Sequence, residues 1–219
     1  RPGGMPVESL RLILKRITDA RRPYLILNLV YYGLIAAAMA YAVYDTSLQR
    51  ALTEAIVSGV AEGPLQPVLE AYTGGRVLLA IGLTFGINLV AGSFLSIALP
   101  ALIIPFSGIL VGGLRAVLWG LLFSPQIAGD VRLQDVGLGA ALVLLLILEG
   151  QGYVLAMLGA YLHGRAFLWP RSAGLAGHSQ GYLHGLKQQG WVYLSLAAVL
   201  LVAAVYAVGL GMVAIPQAP

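Results

Sequence analysis

Four side chains in this sequence stand where polarity is expensive: Asn88, Arg115, Glu149 and Gln151 all lie inside long apolar stretches. An ionised group at bilayer depth is costly, so each such residue needs a partner or a task. Glu149 and Gln151 interrupt LVLLLILEGQGYVLAMLGAY at 142–161, and Arg115 is the only other charge within a long hydrophobic stretch. Two chemistries follow from opposite charges at similar depth. In one, Glu149 titrates and Arg115 tunes it, giving an ion, proton or substrate path. In the other, the two form a buried ion pair, satisfied by Asn88 and Gln151, that fixes helix register.

The helices that carry these groups must bring them to one depth. Asn88 lies twelve residues after Arg76, Arg115 eight before Phe123, and Glu149 thirteen after Val136. At about 1.5 Å per residue, each sits within a few Å of the centre of its span. Each also lies on a face of small residues. Thr84, Asn88, Gly92 and Ser96 are spaced by four; Gly108, Gly112 and Arg115 fall at i, i+4 and i+7; Gly152, Tyr153, Ala156 and Ala160 share the Glu149 face. Small residues let helices approach closely, so these faces are expected to meet.

Composition supports a lipid-facing fold. The 219 residues are 59% hydrophobic and 10% charged, with a mean hydropathy of +0.86, whereas a soluble domain carries about 25% charged residues. The chain reads as one all-α polytopic bundle over 1–219, with about five spans near 23–44, 76–99, 106–123, 136–163 and 191–213. Segment 7–19 puts Leu10, Ile13, Leu14 and Ile17 opposite Glu8, Arg11, Lys15 and Asp19. It is an amphipathic helix, lying in the membrane interface or docked on the bundle. AAAMAYA at 36–42 is similar to a signal-peptidase site, but the basic region and apolar stretch before it are too long, so the first span is expected to be retained.

Connections follow from the breakers. In 45–75, Leu48, Leu52, Ala55 and Ile56 recur at helical spacing up to Gly63-Pro64, and a turn containing Pro67 leads to a second short helix through Tyr72. Pro105 breaks the chain before the third span; alternatively 101–123 is a re-entrant hairpin. The 28 positions of 136–163 correspond to about 42 Å, so this span must tilt, bend or protrude, and Gly150 and Gly152 suit a bend. Segment 164–190, with the Gly/His run GHSQGYLHG, reads as a loop.

Lysine and arginine counts orient the bundle. The N-terminal segment and the 164–190 loop carry nine (Arg1, Arg11, Lys15, Arg16, Arg21, Arg22, Arg165, Arg171, Lys187), against three on the other side (Arg50, Arg76, Arg132). The N-terminus is therefore expected in the cytoplasm and the C-terminus outside.

Several chemistries lack their signatures. There is no cysteine, and no G-x-S-x-G, H-E-x-x-H or P-loop. His163, His178 and His184 have no carboxylate at ligand spacing, so no metal and no cofactor are expected. Nor does a basic, aromatic-interleaved segment point to nucleic acid.

The stretch 77–120, where a span bearing Asn88 precedes FSGILVGGLRAVLWG, and the stretch 145–164, LLILEGQGYVLAMLGAYLHG, resemble the stage II sporulation protein M family. That family has a mid-span acidic residue followed by small and apolar residues and a closing glycine, matched here by Glu149, Ala156, Gly159 and Gly164. Ser107-Gly108 stands in place of its Asn-Gly, and its Pro-His-Gly is missing. The resemblance implies a non-enzymatic bacterial inner-membrane protein of five or six spans. In the sporulation setting such proteins work within a peptidoglycan-remodelling complex. The expected function is a membrane scaffold or assembly subunit with other membrane proteins or its own copies as partners. The alternative is a small transporter or channel subunit that uses Glu149 and Arg115.

Overall fold

The structure is a computed structural model that describes residues 19–63, 65–124 and 136–214. The amphipathic segment 7–19, apart from Asp19, and the connection 124–135, apart from Ser124, lie outside the described residues. Among the described residues every regular element is helical. The helices are α1 (Arg21–Tyr44), α2 (Ser47–Glu62), α3 (Gln66–Thr73), α4 (Val77–Ile103), α5 (Ser107–Leu122), α6 (Val136–Leu168) and α7 (His178–Ala214). The all-α membrane bundle expected from the apolar runs is therefore the observed fold.

Among the described residues four helices, α1, α4, α6 and α7, are long and apolar enough to cross a membrane. The fifth expected span is shorter: α5 has 16 residues, about 24 Å against the roughly 30 Å of hydrocarbon. Its direction is nonetheless clear. Pro105 disfavours helical geometry at Ile104, which is extended, and Phe106 then takes a left-handed φ of 67°. The chain reverses there, and α5 runs back antiparallel to α4, with Gly108 beside Ile97 and Arg115 beside Gly92. The Pro105 break is thus a turn at one end of the bundle.

α6 is the central helix. Half of its most apolar window is buried, against 22–28% for the other long helices. Tyr153, Val154, Ala156, Met157, Leu158 and Ala160 are fully enclosed, with α1, α4, α5 and α7 packed around them. Instead of bending at Gly150 and Gly152, α6 continues through them as one helix of 33 residues. These glycines admit neighbours: a Cβ on Gly150 would stand 2.8 Å from the Tyr32 hydroxyl, and one on Gly152 2.5 Å from Leu200.

The expected loop 164–190 is largely helix. After a 3-10 turn at Pro170–Ala173, α7 starts at His178, well before the predicted Trp191. Gly181 lies against the Ala166 carbonyl and Gly185 against His163, so these two glycines of the Gly/His run are close-packing points, while Gly177 faces open space.

α2 and α3 cover one end. The Asp45 carboxylate accepts from the Ser47 amide (2.9 Å) and hydroxyl (2.6 Å) in the turn that leads into α2. These bonds hold the Asp45 carboxyl below its ordinary range. The enclosed Gln49 donates to the Ser124 carbonyl at 2.8 Å, tying α2 to the end of α5. Pro67, expected in a turn, occupies the first turn of α3, where its missing N–H has no intrahelical partner to lose. α3 docks through Ala71 on Ala80 and Val208, with the Tyr72 ring against Gly211.

This packing makes Gly181 more sensitive than Gly190, around which a methyl group would find open space. Gly181→Ala is expected to cost about 1–3 kcal/mol by overpacking, lowering the melting temperature of the detergent-solubilised protein. Gly190→Ala serves as the matched neutral change; equal melting of the two variants would contradict the close α6–α7 approach.

Candidate functional site

The polar groups that sequence places at mid-depth fall into two networks on opposite sides of α6. The first begins on α4, whose residues Ile87–Ala98 adopt i→i+5 hydrogen bonding. Ser93 and Ser96 donate to the carbonyls four residues before them, each at 2.6 Å, a bond that often distorts helices. In this segment Asn88 points at α6. Its Nδ2 donates to Glu149 Oε1 at 3.0 Å, and its Oδ1 accepts from the Tyr153 hydroxyl at 2.9 Å. That hydroxyl accepts in turn from Arg115 Nη2 at 2.8 Å.

The predicted direct pair between Arg115 and Glu149 is therefore not formed. The guanidinium reaches α6 one turn away from Glu149, at Tyr153, and the hydroxyl and amide fill the gap. Every bond runs the same way, from Arg115 through Tyr153 and Asn88 to Glu149. Such a directional chain lets neutral groups link two charged ends, and hydrogen bonds to charged groups are the stronger kind.

Packing holds the chain in place. Arg115 Cζ lies 4.0 Å from the Tyr153 ring centroid and 5.8 Å from that of Trp119, within cation–π range. Arg115 Nη1 also reaches the Gly92 carbonyl at 3.4 Å, while the buried Nε makes no hydrogen bond. A Cβ on Gly92 would stand 3.1 Å from both Arg115 Nη2 and the Tyr153 hydroxyl. Below, Gly108 admits Ala160, Gly112 admits Met157, and Ala156 is enclosed.

Gln151 does not serve Glu149. Two residues on a helix are about 200° apart, so Gln151 faces α1. Its Oε1 accepts from the Tyr24 hydroxyl at 2.6 Å, and its Nε2 donates to Asn28 Oδ1 at 2.7 Å and Tyr32 Oη at 2.9 Å. Tyr32 then donates to the Ile147 carbonyl at 3.0 Å. Asn28 and Tyr32 are visible in the sequence as polar groups near the start of a span; Tyr24 gives no signal beyond being amphipathic.

A cavity of about 310 Å³ opens beside the first network. α3 contributes Val68, Leu69 and Tyr72, and α4, α5 and α6 contribute Asn88, Trp119 and Glu149 respectively. The Tyr72 and Thr84 hydroxyls lie 3.2 Å apart at its edge. Burial raises the Tyr72 phenol above its ordinary value, so it stays a neutral hydrogen-bonding group.

The histidines stand apart. His163 is enclosed, edge-on to Tyr182 at 4.8 Å, and His178 Nδ1 is 2.7 Å from the Phe167 carbonyl. Among the described residues no three metal-ligating side chains gather.

The α1 network yields a stability prediction. Gln151→Leu leaves the Tyr24 hydroxyl and Asn28 Oδ1 without their partner, and an interhelical hydrogen-bond loss of about 1–2 kcal/mol is expected in the membrane. Unfolding by SDS titration measures it, and an unchanged midpoint would show that the network does not hold α1. No protein-family model matches this chain, and no characterised protein or solved structure matches it.

Proposed function

We propose that this chain is a non-enzymatic integral membrane scaffold or assembly subunit of a multi-protein complex. Its setting is a bacterial inner membrane, with the N-terminus cytoplasmic and the C-terminus outside. One observation carries this reading: the polar side chains at mid-bundle close on one another across α4, α5 and α6. Groups engaged in this way fix the register of three helices, which is what a rigid docking body needs. A hydrolytic site would instead require a nucleophile within reach of a base. The resemblance to stage II sporulation protein M supports the same reading, and its partners are other membrane proteins or further copies of the chain.

Purification in mild detergent tests it. A stable complex with defined partner proteins is expected, and Glu149→Gln should keep it, because the amide oxygen still accepts from Asn88 Nδ2. A lone homo-oligomer whose reconstituted vesicles pass protons or ions would overturn the scaffold reading.

The cavity at Glu149 favours a second reading, a small transporter or channel subunit with Glu149 and Arg115 in the path. It predicts that Glu149→Gln leaves the protein intact and abolishes pH-dependent flux in vesicles. Unchanged flux in that variant would exclude Glu149 from the path.

A further inference from the structure

The cavity under α3 combines three features that select one class of ligand. On its wall stands a carboxyl group whose hydrogen bonding is half used: Glu149 is half-buried and, among the described residues, accepts one bond, from Asn88. Arg115 is joined to it only through two neutral groups, so among the described residues no cation touches the carboxylate. None of the described residues lining the cavity is Lys, Arg or His. Among the described lining residues Glu149 is the one carboxyl group, and the complementary ligand is a cation.

The rest of the lining does not suit a divalent metal ion. A divalent metal wants about six oxygen ligands, whereas this wall is mainly the aliphatic side chains of Leu65, Val68, Leu69, Ile87 and Ala207. Two aromatic rings, Tyr72 and Trp119, also line it, with Thr84 and Asn88 as the neutral polar groups beside Glu149. Apolar and aromatic walls around one fixed charge suit an organic cation that carries its own hydrophobic body. The volume of about 310 Å³ lies at the small end of the usual ligand range, about 300–1,000 Å³.

We infer that this cavity binds a lipophilic monovalent organic cation, its onium centre beside the Glu149 carboxylate and its apolar body against Trp119 and the side chains of α3. α3 is the roof of the site, an eight-residue helix resting on α4 and α7. The inference goes beyond the scaffold reading and does not require transport, since the cation is either held or moved.

Tetraphenylphosphonium is the probe, with tetraphenylborate as its anionic counterpart of like shape. Both are titrated against the full chain in lipid nanodiscs, and the saturable component is measured above partition into lipid. The inference predicts saturable binding of the phosphonium and none of the borate. Glu149→Gln and Val68→Trp, the second filling the cavity from α3 while keeping every residue of the polar chain, should each weaken phosphonium binding about tenfold or more. Saturable binding of both ions alike, no saturable binding to the folded wild type, or phosphonium binding unchanged by the two variants would overturn it. Should Glu149→Gln fail to fold, Val68→Trp alone decides. Co-purification with partner proteins is a separate readout, so loss of this inference leaves the scaffold reading to stand or fall on its own.

Discussion

Hydrocarbon offers a polar side chain nothing to bond to, so a polar group carried into the bundle is stabilised by a partner in the protein. α6 bears the greatest share of this constraint. It carries Glu149, Gln151 and Tyr153 within five positions, and helical geometry sends Gln151 away from the other two. One network therefore faces α4 and α5, and the other faces α1. Both sets of neighbours are held at fixed register on the helix that is most buried. The glycines of the interfaces follow from this: Gly92, Gly108, Gly112 and Gly150 are points where a side chain would push the helices, and with them the polar partners, apart.

Linking Arg115 to Glu149 through Tyr153 and Asn88 has a different physical character from a direct ion pair. A buried pair must recover a large desolvation penalty through one short contact. Here the charged ends each touch a neutral dipole, and the dipoles align from the guanidinium to the carboxylate. The carboxylate keeps a free edge toward the cavity under α3, which a bidentate arginine contact would have covered. Structure and binding are thus drawn from the same residues: the chain pins three helices and leaves one acidic edge exposed to a mainly apolar space.

Much of the fold is legible in the sequence because its signals are one-dimensional. Apolar length marks the spans, Pro105 marks the reversal, and Gly63-Pro64 separates α2 from α3. Depth is legible too, which is why Asn88, Arg115 and Glu149 are selected together. Azimuth and partner choice are less so. Gln151 adjoins Glu149 in sequence yet faces α1, and Tyr153, visible only as part of a packing face, proves to be the bridge that Arg115 meets first. The glycines of GHSQGYLHG mislead for a related reason. Glycine marks loops in water, but Gly181 and Gly185, four residues apart, are contact points between helices here, so α7 extends into the expected loop. α5 runs Ser107–Leu122, one residue shorter at each end than the expected 106–123.

The central claim is that one hydrogen-bonded chain crosses from α5 through α6 and α4 and back to α6, separate from the network on α1. A double-mutant cycle on Asn88→Ala and Tyr153→Phe, read by unfolding of the membrane-embedded protein, tests it most directly. The account predicts that the two changes couple by about 0.5 kcal/mol or more, while Asn88→Ala and Gln151→Ala add without coupling. Simple additivity of Asn88→Ala with Tyr153→Phe, or equal coupling in both cycles, would contradict it.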